Sequence, residues 1–115
     1  MGKKRVRGSM WEEVEAGLGV GKRFRVLAHL ALNPEKAFTK YALAKITGLR
    51  TPSIDRRLKT LVEIGWVKEN QYKPKTYQIN LENEMVKIIV EFLQKILEMD
   101  GRKYPLPLPN SSQTP

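Results

Sequence analysis

The sequence contains no cysteine and one histidine, His29. The first absence excludes disulfides and thiolate zinc sites, and without a second histidine or a glycine-rich phosphate loop the usual metal sites and catalytic triads have little to be built from. His29 falls mid-helix beside an apolar face, where a structural role is expected. The carboxylates spread over helix faces instead of converging on an apolar pocket. The expectation is no enzyme, no metal and no cofactor. Long apolar runs are also missing: no stretch approaches the ~18–20 residues that span a bilayer. The basic leader Met1 to Arg7 is not followed by the apolar core of a secretory signal, so a soluble cytoplasmic protein without membrane contact is expected. Acidic residues are scarce, with 12 Asp and Glu against 21 Lys and Arg for a formal charge of +9. Such an excess favours a polyanionic partner, nucleic acid first.

What is present is enough for one modest core in 115 residues, and its charge is unevenly spread. Residues 82–100 hold Glu82, Glu84, Glu91, Glu98 and Asp100 against Lys87 and Lys95, a local −3 that leaves +12 for the remainder. A basic body joined to an acidic amphipathic helix reads as a nucleic-acid surface with a separate packing element.

Along the chain, residues 1–9 read as a flexible basic arm. Met10, Trp11, Val14 and Leu18 recur at helical spacing, with Glu12, Glu13 and Glu15 early, where the helix dipole favours acids; Gly17, Gly19 and Gly21 end that run. Lys22 to Leu32 reads as a second helix with Phe24, Leu27, Leu30 and Ala31 on one face, stopped by Asn33-Pro34. Thr39 caps a third helix that carries Leu43 and Ile46 and ends at Gly48. Thr51-Pro52 opens a fourth, with Thr51 as N-cap and Pro52 at the first helical position, and Gly65 closes it. Residues 66–70 and 76–80 have strand character around the tip Tyr72-Lys73-Pro74-Lys75. Trp66, Tyr77 and Ile79 are expected to pack the hairpin on the core, and Tyr72 is the aromatic least expected to be buried. Residues 82–100 form a long helix, and 101–115 a Pro-rich disordered tail.

The fold class that follows is mainly α with a small β-hairpin (α+β): a winged helix-turn-helix with an added N-terminal helix and a long C-terminal dimerisation helix, together spanning 10–100. A helix-turn-helix needs a small residue where its helices cross, a residue tolerant of positive φ in the turn, and a branched apolar residue facing back into the crossing. Ala44, Gly48 and Ile54 meet these demands at offsets of four and six. On the second helix, Ile54, Leu58, Leu61, Val62 and Gly65 share one face, while Ser53, Arg56, Lys59, Thr60 and Glu63 lie opposite and Arg57 sits on the flank. Small hydroxyls and Arg read base edges, and Arg or Lys neutralise phosphates.

The stretch Ser53-Ile54-Asp55-Arg56-Arg57-Leu58-Lys59-Thr60-Leu61-Val62-Glu63-Ile64-Gly65-Trp66-Val67 resembles the recognition helix and following strand of winged-helix regulators of the arsenic-repressor, multiple-antibiotic-resistance and PadR-like type. The resemblance covers about residues 20–80. It implies a dimer on a two-fold symmetric double-stranded DNA site, with Thr51 to Glu63 in the major groove. Trp66 stands where relatives have Leu, the hairpin tip lacks their Arg, and no metal-sensing Cys or His cluster exists.

On this reading Ser53, Arg56 and Thr60 contact bases, and Arg50, Thr51, Arg57, Lys59, Lys73 and Lys75 contact phosphates. Met85, Ile89, Phe92, Ile96 and Met99 recur as a heptad seam, which Val86, Ile88, Val90, Leu93 and Leu97 widen beyond what one small domain needs. One stripe is therefore expected on the protomer's own core and another on a second copy, with Trp11, Met85, Ile89, Phe92, Leu93, Ile96 and Leu97 at the dimer interface. The expected function is sequence-specific, nucleoid-associated DNA binding by a homodimeric transcriptional regulator, in the natural case a repressor. A centromere-site protein of a plasmid or chromosome segregation system uses the same parts, with the arm or tail holding a protein partner. A winged helix used only for protein–protein contact is the third reading.

Overall fold

The computed structural model describes residues 10–103, with side chains described to Met99, so the arm and all but the first three residues of the tail lie outside the described residues. Five helices and a hairpin follow in order: α1 (Met10–Leu18), α2 (Phe24–Leu32), α3 (Lys40–Thr47), α4 (Thr51–Glu63), β1 (Val67–Asn70), β2 (Thr76–Ile79) and α5 (Glu84–Lys103). This is the expected mainly α chain with a small hairpin.

Local chemistry accounts for most of the boundaries. The Thr39 hydroxyl accepts the Ala42 N–H at 3.1 Å and starts α3. Gly65, at φ +81°, ends α4 and donates its N–H to the Val62 carbonyl at 3.0 Å. Four helix boundaries differ from expectation. Lys22 and Arg23 form a turn ahead of α2, because Phe24, Arg25 and Val26 donate to carbonyls three residues back and no side chain caps the end. Arg50, not Thr51, is the N-cap of α4. Its extended backbone presents the carbonyl that accepts from Ser53 and Ile54, and Thr51 already has its place in the first turn. α5 begins after Asn83, whose Oδ1 accepts the Val86 N–H at 3.1 Å, while Asn80 Oδ1 takes the Glu82 N–H and holds Glu82 in the preceding turn. At its other end α5 runs on to Lys103 instead of stopping at residue 100.

The core gathers Val26, Leu30, Leu43, Ile54, Leu58, Leu61, Val86 and Leu93, all fully buried. Burial of a side chain of this size stabilises by about 1.5–3 kcal/mol relative to exposure, so α2, α3, α4 and α5 are held by one shared apolar interior. The hairpin pairs antiparallel in the register Val67↔Ile79, Lys68↔Gln78, Glu69↔Tyr77, Asn70↔Thr76. Its alternation turns Val67, Tyr77 and Ile79 inward. Trp66 is half-buried against the same core, and Tyr72 is exposed. Phe38 adds a rung that the sequence did not announce, exchanging both backbone hydrogen bonds with Tyr77 at 2.9 and 2.8 Å. His29 sits edge-on to Phe38 with ring centroids 4.8 Å apart, a packing role.

The wide apolar surface of α5 is divided between two stripes. Val86, Leu93 and Ile96 are buried within the protomer, with Ile89 and Val90 half-buried at their edges. Met85, Ile88, Phe92 and Met99 form an adjacent exposed stripe. Leu93 and Ile96, expected at the dimer interface, are buried within the protomer, where α1 and α2 pack against α5. α1 is fastened to α2 by Arg25, whose Nε and Nη2 donate to the two Glu15 carboxylate oxygens at 2.8 and 3.2 Å. That hydrogen-bonded ion pair raises the Arg25 pKa. Trp11 shares a cleft with Glu15, Phe24, Ala28 and Ile46, on the opposite flank of α1 from Phe92 and Met99. It is a half-buried contact within the protomer, away from the exposed α5 stripe.

Candidate nucleic-acid interface

The presentation of α4 starts with the turn before it. Thr47 is buried; its hydroxyl donates to the Leu43 carbonyl at 2.7 Å and accepts the Leu49 N–H at 3.2 Å. Gly48 adopts φ +79° and donates to the Ala44 carbonyl at 2.9 Å. A side chain in that left-handed conformation meets its own backbone, which is why glycine suits the position. Ile54, Leu58 and Leu61 then seat α4 in the core, so its opposite face has one orientation.

That opposite face carries Arg56, Lys59, Thr60 and Glu63, all exposed, with Ser53 half-buried beside them. Thr51 is half-buried in the first turn and Arg50 is exposed just ahead of it. On one flank, Asp55 accepts a hydrogen bond from Lys40 at 3.2 Å and faces the hairpin. The hairpin places Pro74 and Lys75 on the same side, and Lys73 is exposed at its tip. Lys75 pairs with Glu69 at 3.2 Å, whereas Lys73 has no ion pair among the described residues. Exposed pairs of this kind contribute little, so Lys75 remains able to exchange Glu69 for a phosphate. The Tyr77 hydroxyl donates to the same carboxylate at 3.4 Å, and burial followed by the Glu69 charge raises its pKa.

Arg57 is placed differently from the other basic residues of α4. It leans to the flank opposite the hairpin, half-buried, toward Arg23. Burial and then the Arg23 charge lower its pKa, and its buried Nε has no hydrogen-bond partner. Arg23 did not stand out in the sequence, because only the folded chain brings the entrance of α2 to α4. At the C-terminal end of α4, Asn80 and Asn83 donate to the Gly65 carbonyl at 2.8 and 3.3 Å, tying the helix exit to the start of α5. Among the described residues no helix is long and apolar enough to cross a membrane.

Comparisons with known proteins agree with this geometry. Residues 19–71 match the IclR helix-turn-helix domain. The fold is similar to that of the MarR family transcriptional regulator SPO1453 from Silicibacter pomeroyi DSS-3, at 17% identity and a TM-score of 0.62, covering 82% of this chain and 66% of that one. The chain therefore spans just under two thirds of that regulator's length. It is also similar to the transcriptional regulator PA3341, at 20% identity and a TM-score of 0.63, covering 89% of this chain and 77% of that one. A third similar structure is the homodimeric winged helix-turn-helix DNA-binding domain Mb0332 from Mycobacterium bovis, a possible ArsR-family regulator. Its identity is 18% and its TM-score 0.54, over 94% of this chain and 97% of that one. No curated protein matches the chain. The matched segment is a helix-turn-helix domain, and the likeness to the solved structures is one of fold.

Proposed function

The chain is a winged helix-turn-helix protein, and from that premise we propose that it binds a two-fold symmetric double-stranded DNA site as a homodimer and regulates transcription, in the simplest case as a cytoplasmic repressor. The observation that carries this reading is the division of α4: Ile54, Leu58 and Leu61 are buried, while Arg56, Lys59 and Thr60 project from a helix that the Gly48 turn orients. Ser53, Arg56 and Thr60 read base edges in the major groove. Arg50, Thr51, Lys59, Lys73 and Lys75 hold phosphates along the two rims, and Arg57 contributes from the flank.

Self-association is supported by the exposed stripe of Met85, Ile88, Phe92 and Met99 on α5. It is supported also by the homodimeric state of the similar Mycobacterium bovis domain. A dimer of this design sets its two α4 helices about one DNA turn, ~34 Å, apart. Transcription is favoured over other uses of DNA binding because the similar solved structures are of transcriptional regulators.

Selection of bound sequences from a random DNA pool tests the proposal by yielding the site, its symmetry and its half-site spacing together. With that site, Arg56→Ala lowers cognate affinity by about 1–3 kcal/mol and leaves random-sequence binding nearly unchanged, whereas Lys73→Ala weakens both. Binding that is absent at low salt, or that does not fall as salt rises, would refute DNA as the partner.

A further inference from the structure

The flank of α4 facing α2 forms a cleft of about 480 Å³ between the recognition helix and the loop that enters α2. Its lining is unusually cationic. Arg23 comes from the loop, and Arg56, Arg57 and Lys59 come from α4, with Glu63 the one acid among them. Val20 and Phe24 supply apolar wall. Among the described residues none of the four basic side chains forms an ion pair, although five other pairs are present elsewhere on the protein. Arg57 Nε is buried with no acceptor in reach.

Such an arrangement is unfavourable as it stands. A buried guanidinium N–H without an acceptor loses its hydration and receives nothing in exchange. A second guanidinium close enough for its charge to act on the first adds repulsion. A tetrahedral anion between the two removes both penalties, since it accepts from Nε and from the neighbouring Nη and neutralises part of the charge; guanidinium forks suit phosphate in this way.

We propose that Arg23 and Arg57 form a two-arginine clamp for a single phosphate group, at the edge of the outward face of α4, whose Arg56 and Thr60 border the same cleft. The inference rests on the DNA-binding reading for the source of that phosphate, a backbone phosphodiester at the edge of the groove occupied by α4. A free phosphorylated ligand shares the chemistry and is the other source. The clamp gives Arg57 a task that its half-buried position would otherwise obstruct. It also gives a residue outside the helix-turn-helix and the wing a direct part in DNA affinity.

The test follows the Arg57 Nε–H resonance of the full chain, labelled with ¹⁵N, in the wild type and in Arg23→Gln at constant ionic strength. The titrants are inorganic phosphate and, separately, a DNA duplex. A saturable shift with the duplex that Arg23→Gln weakens is expected. Arg23→Gln and Arg57→Gln should each lower affinity for cognate and random duplexes alike, by about tenfold. The slope of log affinity against log salt should shrink by about 0.9 for the one phosphate lost. Neither variant should lower the melting temperature of the free protein, because each removes a repulsion. Saturation by inorganic phosphate with no duplex binding at all would defeat the DNA reading while keeping the clamp, with a free phosphorylated ligand as its source. Duplex binding that leaves the Arg57 resonance in place and is unchanged in both variants would overturn the clamp while keeping the DNA reading. A resonance that follows neither titrant, or a drop in melting temperature with unchanged duplex affinity, would likewise overturn it by marking Arg57 as structural.

Discussion

Phe92 and Leu93 are neighbours on α5 with opposite surroundings, 47% and 0% exposed, so alanine at each should produce separable effects. Leu93→Ala leaves a cavity in the protomer core and costs about 2–5 kcal/mol. Taking ~3 kcal/mol, and about 4–8 °C per kcal/mol for a domain of this size, the melting temperature falls by roughly 12–24 °C. Phe92→Ala in an isolated protomer removes a half-exposed ring and costs no more than about 1 kcal/mol. In a two-fold dimer each substitution is made twice at one isologous interface. If Phe92 is an anchor worth about 2 kcal/mol per copy, the loss approaches ~4 kcal/mol, close to a thousandfold in the dimer dissociation constant. Sedimentation equilibrium reads the second quantity. Thermal melts at two protein concentrations read the first, and the wild-type melting temperature should rise with concentration whereas that of Phe92→Ala should not. An unchanged dissociation constant in Phe92→Ala would refute the exposed stripe as the interface. Equal destabilisation by the two variants at high dilution would refute the division of α5 itself.

Three other outcomes are expected. A Cβ at Gly48 would meet nothing within 4 Å, so Gly48→Ala pays only for its φ of +79°; urea unfolding should show a loss of about 1–2 kcal/mol, and no loss would mean that the turn relaxes to another conformation. The His29 pKa is lowered by burial and then by the Lys36 charge, so the folded state favours neutral imidazole. The resulting stability is complete above the unfolded value of about 6.5 and declines as pH falls through it toward the folded value, by at most ~1.4 kcal/mol per pH unit. Unfolding midpoints between pH 7 and 5.5 should show this decline in the wild type and not in His29→Gln; a slope that survives the substitution would count against it. On DNA, Arg56→Ala should narrow the gap between cognate and random affinity while Lys73→Ala preserves it, and equal losses for both variants on both DNAs would remove Arg56 from base reading.

Sequence alone was enough for features whose physics is local. Thr39, Gly48 and Gly65 mark helix ends because each solves a backbone problem within a few residues of itself, and Ile54, Leu58 and Leu61 identify the inner face of α4 by helical periodicity alone. The outward set of Arg56, Lys59 and Thr60 followed from the same periodicity, so the face that we propose for DNA was legible before any tertiary contact was known. Tertiary structure decided whatever depends on two distant segments meeting. The apolar breadth of α5 led to an expectation of two contacts, but the rotation of the helix against α1 and α2 determined that Leu93 and Ile96 face inward while Phe92 and Met99 stay outside. Phe38 pairs with Tyr77 through backbone groups that every residue type possesses, so its side chain gave no notice of the rung. Arg57 read as one more phosphate-contacting residue on a flank. Only the folding of the α2 entrance against α4 placed Arg23 beside it and left a buried guanidinium N–H without an acceptor. Helical periodicity assigns a residue to a face, but what that face meets is set by packing between elements far apart in the chain.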